Sequence, residues 1–146
     1  MFRGAFVCVF DKSLSSVLLL NRNWEWKRKQ GKVWEGMPRW GNVGGAVEAG
    51  ETPLQGCIRE VKEEIGIRLD PKRLVEVEVR KSPTGSAPYT LHFYATAIDR
   101  NTKISLNGES KSYKWFSLMG LPNDMLDSRD DVLRWQGLLK VKTGIA

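Results

Sequence analysis

The chain is predicted to adopt an α/β (α+β) layer fold, and three observations predict it. Segments rich in β-branched and aromatic residues lie on both sides of one capped amphipathic helix. A second amphipathic segment closes the chain, and neither a repeat nor a linker interrupts its 146 residues. Strands flanking a central helix, with a terminal helix, bury their apolar faces as packed layers around one core. This length is that of one domain with a substantial core, so residues 1–146 are read as a single unit.

In chain order, residues 2–10 and 14–21 are predicted strands, joined by a turn at residues 11–13, and read as a hairpin. Residues 22–36 (RNWEWKRKQGKVWEG) break the pattern by setting Trp24, Trp26 and Trp34 among Arg22, Lys27, Arg28, Lys29 and Lys32. Such interleaving suits phosphate contact with base stacking, and equally a solvated surface loop. Residues 40–43 predict a short strand entering a Gly44-Gly45 turn, with residues 46–47 leaving it. Thr52 as N-cap, Pro53 at N1 and Gln55 at N3 form a capping box that starts a helix. Gly66 supplies its stop after Ile65. Strands are expected at residues 74–81, 89–98 and 113–116, with a polar loop at 82–88 and an Asn107-Gly108 turn. Ser128 caps a closing helix in which Val132, Leu133, Trp135, Leu138 and Leu139 supply the apolar residues.

The capped helix carries the chemistry. At about 100° per residue, Leu54, Cys57, Ile58, Val61 and Ile65 fall within about 60° of one direction and form the buried stripe. Glu60, Glu63 and Glu64 gather on an acidic flank at i, i+3 and i+4. Like charges at i, i+4 disfavour a helix by a few tenths of a kcal/mol. A divalent cation reverses that sign, and all-oxygen donors suit Mg2+ or Mn2+ better than zinc. Gly56 lies one turn before Glu60 and leaves a side-chain-free position for something to approach.

Composition narrows the class. The chain is 41% hydrophobic and 27% charged, as soluble domains are, with a net charge of +6 that permits a polyanionic partner. Cys8, Cys57 and the single His92 make neither a zinc cluster nor a disulfide framework, so buried reduced thiols are expected. The first residues read as a strand rather than a signal peptide. No segment approaches the ~20 apolar residues of a membrane span, so a cytoplasmic location is the expectation.

Residues 45–67 read G-x5-E-x7-R-E-U-x-E-E-x-G-U, where U is apolar, through Gly45, Glu51, Arg59, Glu60, Val61, Glu63, Glu64, Gly66 and Ile67. Seven fixed identities make chance agreement on the order of 10^-10 per starting position. This pattern, with Trp40 and Gly44-Gly45 ahead of it and a Glu before a Trp-Phe strand behind it, resembles the Nudix hydrolase family over most of the chain. Val43 departs from it, standing where many members have proline.

The resemblance implies a mixed sheet between helices and Mg2+-dependent cleavage of a phosphoanhydride in a nucleoside diphosphate linked to another group. It implies Glu60, Glu63, Glu64 and the Gly45 carbonyl as metal ligands, an Arg59–Glu51 pair fixing the loop on the helix, and a glutamate activating water. Glu109 is a candidate for that last role. Nucleoside triphosphates are the favoured substrates. ADP-ribose or another nucleotide sugar or dinucleotide, and an RNA 5′ end, are alternatives, as is a non-catalytic nucleotide sensor. Substrate contacts are expected from Trp24, Trp26, Arg28, Trp34, Arg39, Pro83 and Tyr89, in a monomer or homodimer.

Overall fold

The computed structural model describes residues 1–22, 38–82 and 88–144. Among these residues, seven strands form one mixed sheet flanked by two helices. The strands are β1 (Phe2–Asp11), β2 (Ser16–Arg22), β3 (Trp40–Gly41), β4 (Val43–Ala46), β5 (Val75–Ser82), β6 (Tyr89–Ile98) and β7 (Ser110–Ser117). The helices are α1 (Pro53–Ile65) and α2 (Arg129–Thr143), with a 3-10 turn at Pro71–Arg73. The path β3-β2-β1-β6-β5 carries β4 beside β1 and β7 beside β2. β1 and β6 pair in parallel over their whole length, from Phe2–Tyr89 to Asp11–Ile98, and the other pairings are antiparallel.

The hairpin forms, but β2 starts later than predicted. Leu14 is buried in the turn with φ of 57°, and its N–H donates to the Asp11 carbonyl. The Asp11 carboxylate accepts from the Ser15 and Ser16 N–H groups, so these local bonds outcompete extension of the strand. Gly44-Gly45 is likewise no turn. Both glycines lie inside β4, opposite Phe6 and Ala5 of β1. Gly44 has φ of +148°, and a Cβ there would meet the Ala5 carbonyl oxygen at 2.3 Å. Glycine lets two strands and the next helix approach closely.

Each helix covers one face of the sheet. Cys57, Val61 and Ile65 of α1 pack on Ala5, Val7, Val9 and Val43, with Leu54 part-buried beside them. Val132, Trp135 and Leu139 of α2 pack on Phe10, Leu19 and Phe93, while Leu138 is 41% exposed and Leu133 only part-buried. The closing helix therefore uses a narrower stripe than its apolar content suggested. The α1 caps are those predicted: Thr52 accepts from the Gln55 N–H, the Gln55 side chain accepts from the Thr52 N–H, and Gly66 is left-handed. Cys8 and Cys57 are buried and unbridged, and burial, with Glu60 and Glu64 nearby, pushes the Cys57 thiol up to about 12. Among the described residues no helix is long and apolar enough to cross a membrane.

Candidate active site

α1 lays its glutamates against the glycine strand. The Glu60 carboxylate covers Gly45 so closely that a Cβ there would stand 2.7–2.9 Å from its carbon and oxygens. Arg59 ties the neighbouring loop to the helix. Its Nε donates to Glu51 Oε2 at 2.8 Å, one Nη to Glu51 Oε1 at 3.1 Å, and the same Nη to the Ala46 carbonyl at 2.9 Å. The other Nη reaches Glu60 and Glu63, each at 3.2 Å. Arg59 holds the Glu51 carboxyl below its ordinary value, helped by the Glu48 N–H, and the guanidinium is itself held more firmly protonated. The loop-to-helix pairing suggested by sequence is thus a bidentate, charge-assisted bond.

The three glutamates do not share one environment. Glu63 is half exposed and Glu60 largely covered, whereas Glu64 is 2% exposed. The acidic flank therefore turns inward at Glu64, where Arg22 Nη1 donates at 2.8 Å and the Gly44 N–H at 3.3 Å. Burial pushes the Glu64 carboxyl up to about 7 against the pull of Arg22, with Glu109 and Glu60 adding to the rise. Burial also raises Glu60; Arg59 opposes this, and Glu63 and Glu109 reinforce it. Glu109, from the turn before β7, thus lies within electrostatic reach of both buried carboxylates. Its N–H is capped by Asn107 Oδ1 at 3.1 Å.

Among the described residues, no three His, Cys, Asp or Glu side chains gather at one point. Arg59 holds Glu60 and Glu63, and Arg22 holds Glu64. The donor set nevertheless suits a hard divalent cation: it is all oxygen, carried on one helix, with the Glu60 carboxylate against a glycine strand whose space a Cβ would take. Gly56 does not leave the opening expected of it. A Cβ there would lie 3.2 Å from Val47 and 3.3 Å from Glu51, so the chain's own loop fills that space.

Three further residues complete the centre. Arg22, counted in sequence only among the basic residues of the 22–36 segment, also donates to the Asn42 carbonyl. Asn42 donates through Nδ2 to Asp127 at 2.7 Å, and its buried Oδ1 has no partner. Burial raises the Asp127 carboxyl, and Asn42 opposes the rise. Asn42 and Asp127 border a cavity of about 170 Å3 walled by Phe6, Leu91, Phe93 and Leu126. Phe6 and Phe93 stack at 5.8 Å.

The predicted substrate contacts divide differently. Arg39 accepts from the Arg22 N–H through its carbonyl and places its guanidinium 5.4 Å from the Trp40 ring centre. Tyr89 begins β6 opposite Phe2 and Ser82 and makes no hydrogen bond to the glutamates. Trp24, Trp26, Arg28, Trp34 and Pro83 lie outside the described residues.

With a bidentate loop clamp and an inward-facing carboxylate helix, fold and site define a Nudix-type centre, and sequence comparison agrees. A NUDIX domain model matches residues 1–136, and the chain belongs to that family. It is 32% identical over 91 residues to putative nudix hydrolase 1 of Caenorhabditis elegans, covering 62% of this chain and 24% of that protein. It is 26% identical over 121 residues to the asymmetrical bis(5′-nucleosyl)-tetraphosphatase of Mus musculus, covering 81% and 75%. It is 33% identical over 86 residues to dihydroneopterin triphosphate diphosphatase of Escherichia coli K12, covering 58% and 50%. The chain therefore spans a quarter of the worm relative and half of the bacterial one. Among solved structures, a MutT NUDIX hydrolase from Burkholderia pseudomallei superposes with a TM-score of 0.68 at 20% identity, covering 92% of this chain and 96% of that one. This likeness shows the fold.

Proposed function

We propose that the chain is a Mg2+- or Mn2+-dependent pyrophosphohydrolase that cleaves a phosphoanhydride in a nucleotide-type substrate, nucleoside triphosphates foremost. The observation that carries this reading is the placing of Glu60 against Gly45 and of Glu64 on the Gly44 N–H, with Glu109 acting electrostatically on both, on a helix that Arg59 and Glu51 clamp to the loop. Glu60, Glu63, Glu64 and the Gly45 carbonyl would hold the ion. When bound, the metal supplies charge neutralisation at the pyrophosphate and a lowered pKa for an attacking water. Glu60, whose carboxyl burial raises, would take the proton from that water, with Glu109 as the alternative acceptor. Arg59, through Glu51, keeps the loop from drifting off the helix.

The cavity bordered by Asn42 and Asp127 supports a ring-bearing substrate. Phe6, Leu91 and Phe93 give it apolar walls, and the half-buried Asp127 carboxyl and Arg80, which lies over the Phe93 ring, give it polar groups to meet a base edge. The same chain of contacts, Asp127 to Asn42 to Arg22 to Glu64, links this slot to the glutamates. A dinucleoside polyphosphate is the second reading, favoured by the likeness to the mouse bis(5′-nucleosyl)-tetraphosphatase.

A panel tests the proposal: nucleoside triphosphates, diadenosine tetraphosphate, ADP-ribose, sugar nucleotides and a 5′-triphosphorylated RNA, each with Mg2+ and with EDTA. Metal-dependent turnover of a triphosphate or a dinucleoside polyphosphate is expected. Binding without turnover of any member would instead favour a sensor.

A further inference from the structure

At the other end of the sheet, where β1 and β6 finish and β5 begins, the surface sinks into a groove of about 690 Å3. It is remote from the glutamates. Gly45 pairs with Ala5 of β1, and Lys12, on the groove wall, lies seven residues farther on, roughly 20 Å at about 3.3 Å per residue. Four cations surround it: Lys12 after β1, Lys72 and Arg73 of the 3-10 turn, and Lys142 of the last α2 turn. Its one carboxylate, Glu76, lies 3.6 Å from the His92 ring. Four positive charges and one negative leave +3 there, half of the +6 carried by the whole chain.

None of the four cations makes an ion pair among the described residues. The neighbouring carboxylates pair with none of these cations and accept backbone bonds: Asp70 from the Lys72 N–H at 2.9 Å, and Asp99 from the Asn101 N–H at 2.8 Å. Cations around one concavity that outnumber its single carboxylate repel one another, and an anion seated among them reverses the sign. The C-terminal end of α2 adds about half a negative charge, far less than the cations supply. Between them the groove is apolar, with Leu74, Val75, Ala97 and Leu139 in its wall. A volume within the usual ligand range, an apolar surface and a cationic rim match a molecule with a ring at one end and phosphates at the other.

We propose that this groove is a second binding site, apart from the reaction centre, for a phosphorylated small molecule of the nucleotide class. The phosphates meet Lys12, Lys72, Arg73 and Lys142, and the ring lies on the Leu74–Leu139 surface. A bare phosphate would have no use for that surface, and a nucleic acid would need a track rather than a concavity of single-ligand size.

The test is NMR titration of the full 15N-labelled chain in EDTA, where the metal-free glutamates repel phosphate. The probes are ATP, inorganic pyrophosphate and a short oligouridylate, added to the wild type and to a Lys72→Glu/Lys142→Glu variant. ATP is expected to shift the Arg73, Val75, Ala97 and Leu139 amides saturably, to bind at least tenfold tighter than pyrophosphate, and to bind at least tenfold weaker to the variant. Shifts confined to α1, equal affinity for pyrophosphate, tighter binding of the oligonucleotide, or unchanged ATP binding to the variant would each overturn the proposal.

Discussion

Arg22, the last residue of β2, donates to Glu64 of α1 at 2.8 Å with both side chains almost wholly shielded from water. Removing one partner of a buried pair leaves an uncompensated charge, which costs about 3–5 kcal/mol. Arg22→Met is therefore expected to lower stability by about 3 kcal/mol in urea unfolding at pH 8, where Glu64 is ionised in the wild type. Adding Glu64→Gln to that variant should restore much of the loss, since a neutral amide does not need the guanidinium.

Glu64 also makes an unusual contribution to pH dependence. Its folded-state pKa of about 7 lies above that of an unfolded glutamate, so between these values the folded chain holds a proton that the unfolded chain has released. Its contribution to the stability of the metal-free protein therefore falls as pH rises through that window, by at most about 1.4 kcal/mol per pH unit. Asp11, Glu51, Glu78 and Asp131 have lowered values and act in the opposite direction, at more acidic pH. Glu64→Gln separates the effects. Stability of wild type and variant, measured in EDTA from pH 4.5 to pH 8, should diverge with this slope.

The two adjacent glycines of β4 serve different ends. At Gly44 a Cβ would strike backbone, 2.3 Å from the Ala5 oxygen and 2.6 Å from the Phe6 Cα, at a φ unsuited to side chains. Gly44→Ala is expected to cost more than about 3 kcal/mol in thermal unfolding. At Gly45 the three nearest atoms to the Cβ would all belong to the Glu60 carboxylate, the end of a side chain rather than backbone. Gly45→Ala should keep most of the stability while weakening Mn2+ binding at least tenfold, measured by calorimetric titration.

Helix α1 was legible because its signals are local. Thr52, Pro53, Gln55 and Gly66 specify its ends within a few residues, and alternation reveals strands as readily. What escaped was set by partners distant in sequence. Glu64 looks like its neighbours on a helical wheel, and only Arg22, 42 positions away, and the strand above it make it a buried group. Asn42 and Asp127, 85 positions apart, carry no pattern that announces their contact. The strand character of Gly44-Gly45 was hidden for a related reason. Glycine pairs read as turns unless the crowding between β1 and α1 is known. The apolar content of α2 overstated its buried stripe, because Leu138 points to water whatever its hydropathy.

Glu63 offers the most direct test of the central claim, because its half-exposed carboxylate contributes little to folding while belonging to the proposed metal set. The measurement is kcat of Glu63→Gln at saturating Mg2+, on the best substrate of the panel, with unfolding midpoints alongside. The account predicts a loss of at least 100-fold in kcat with the midpoint unchanged. Wild-type turnover in a folded Glu63→Gln protein would contradict it.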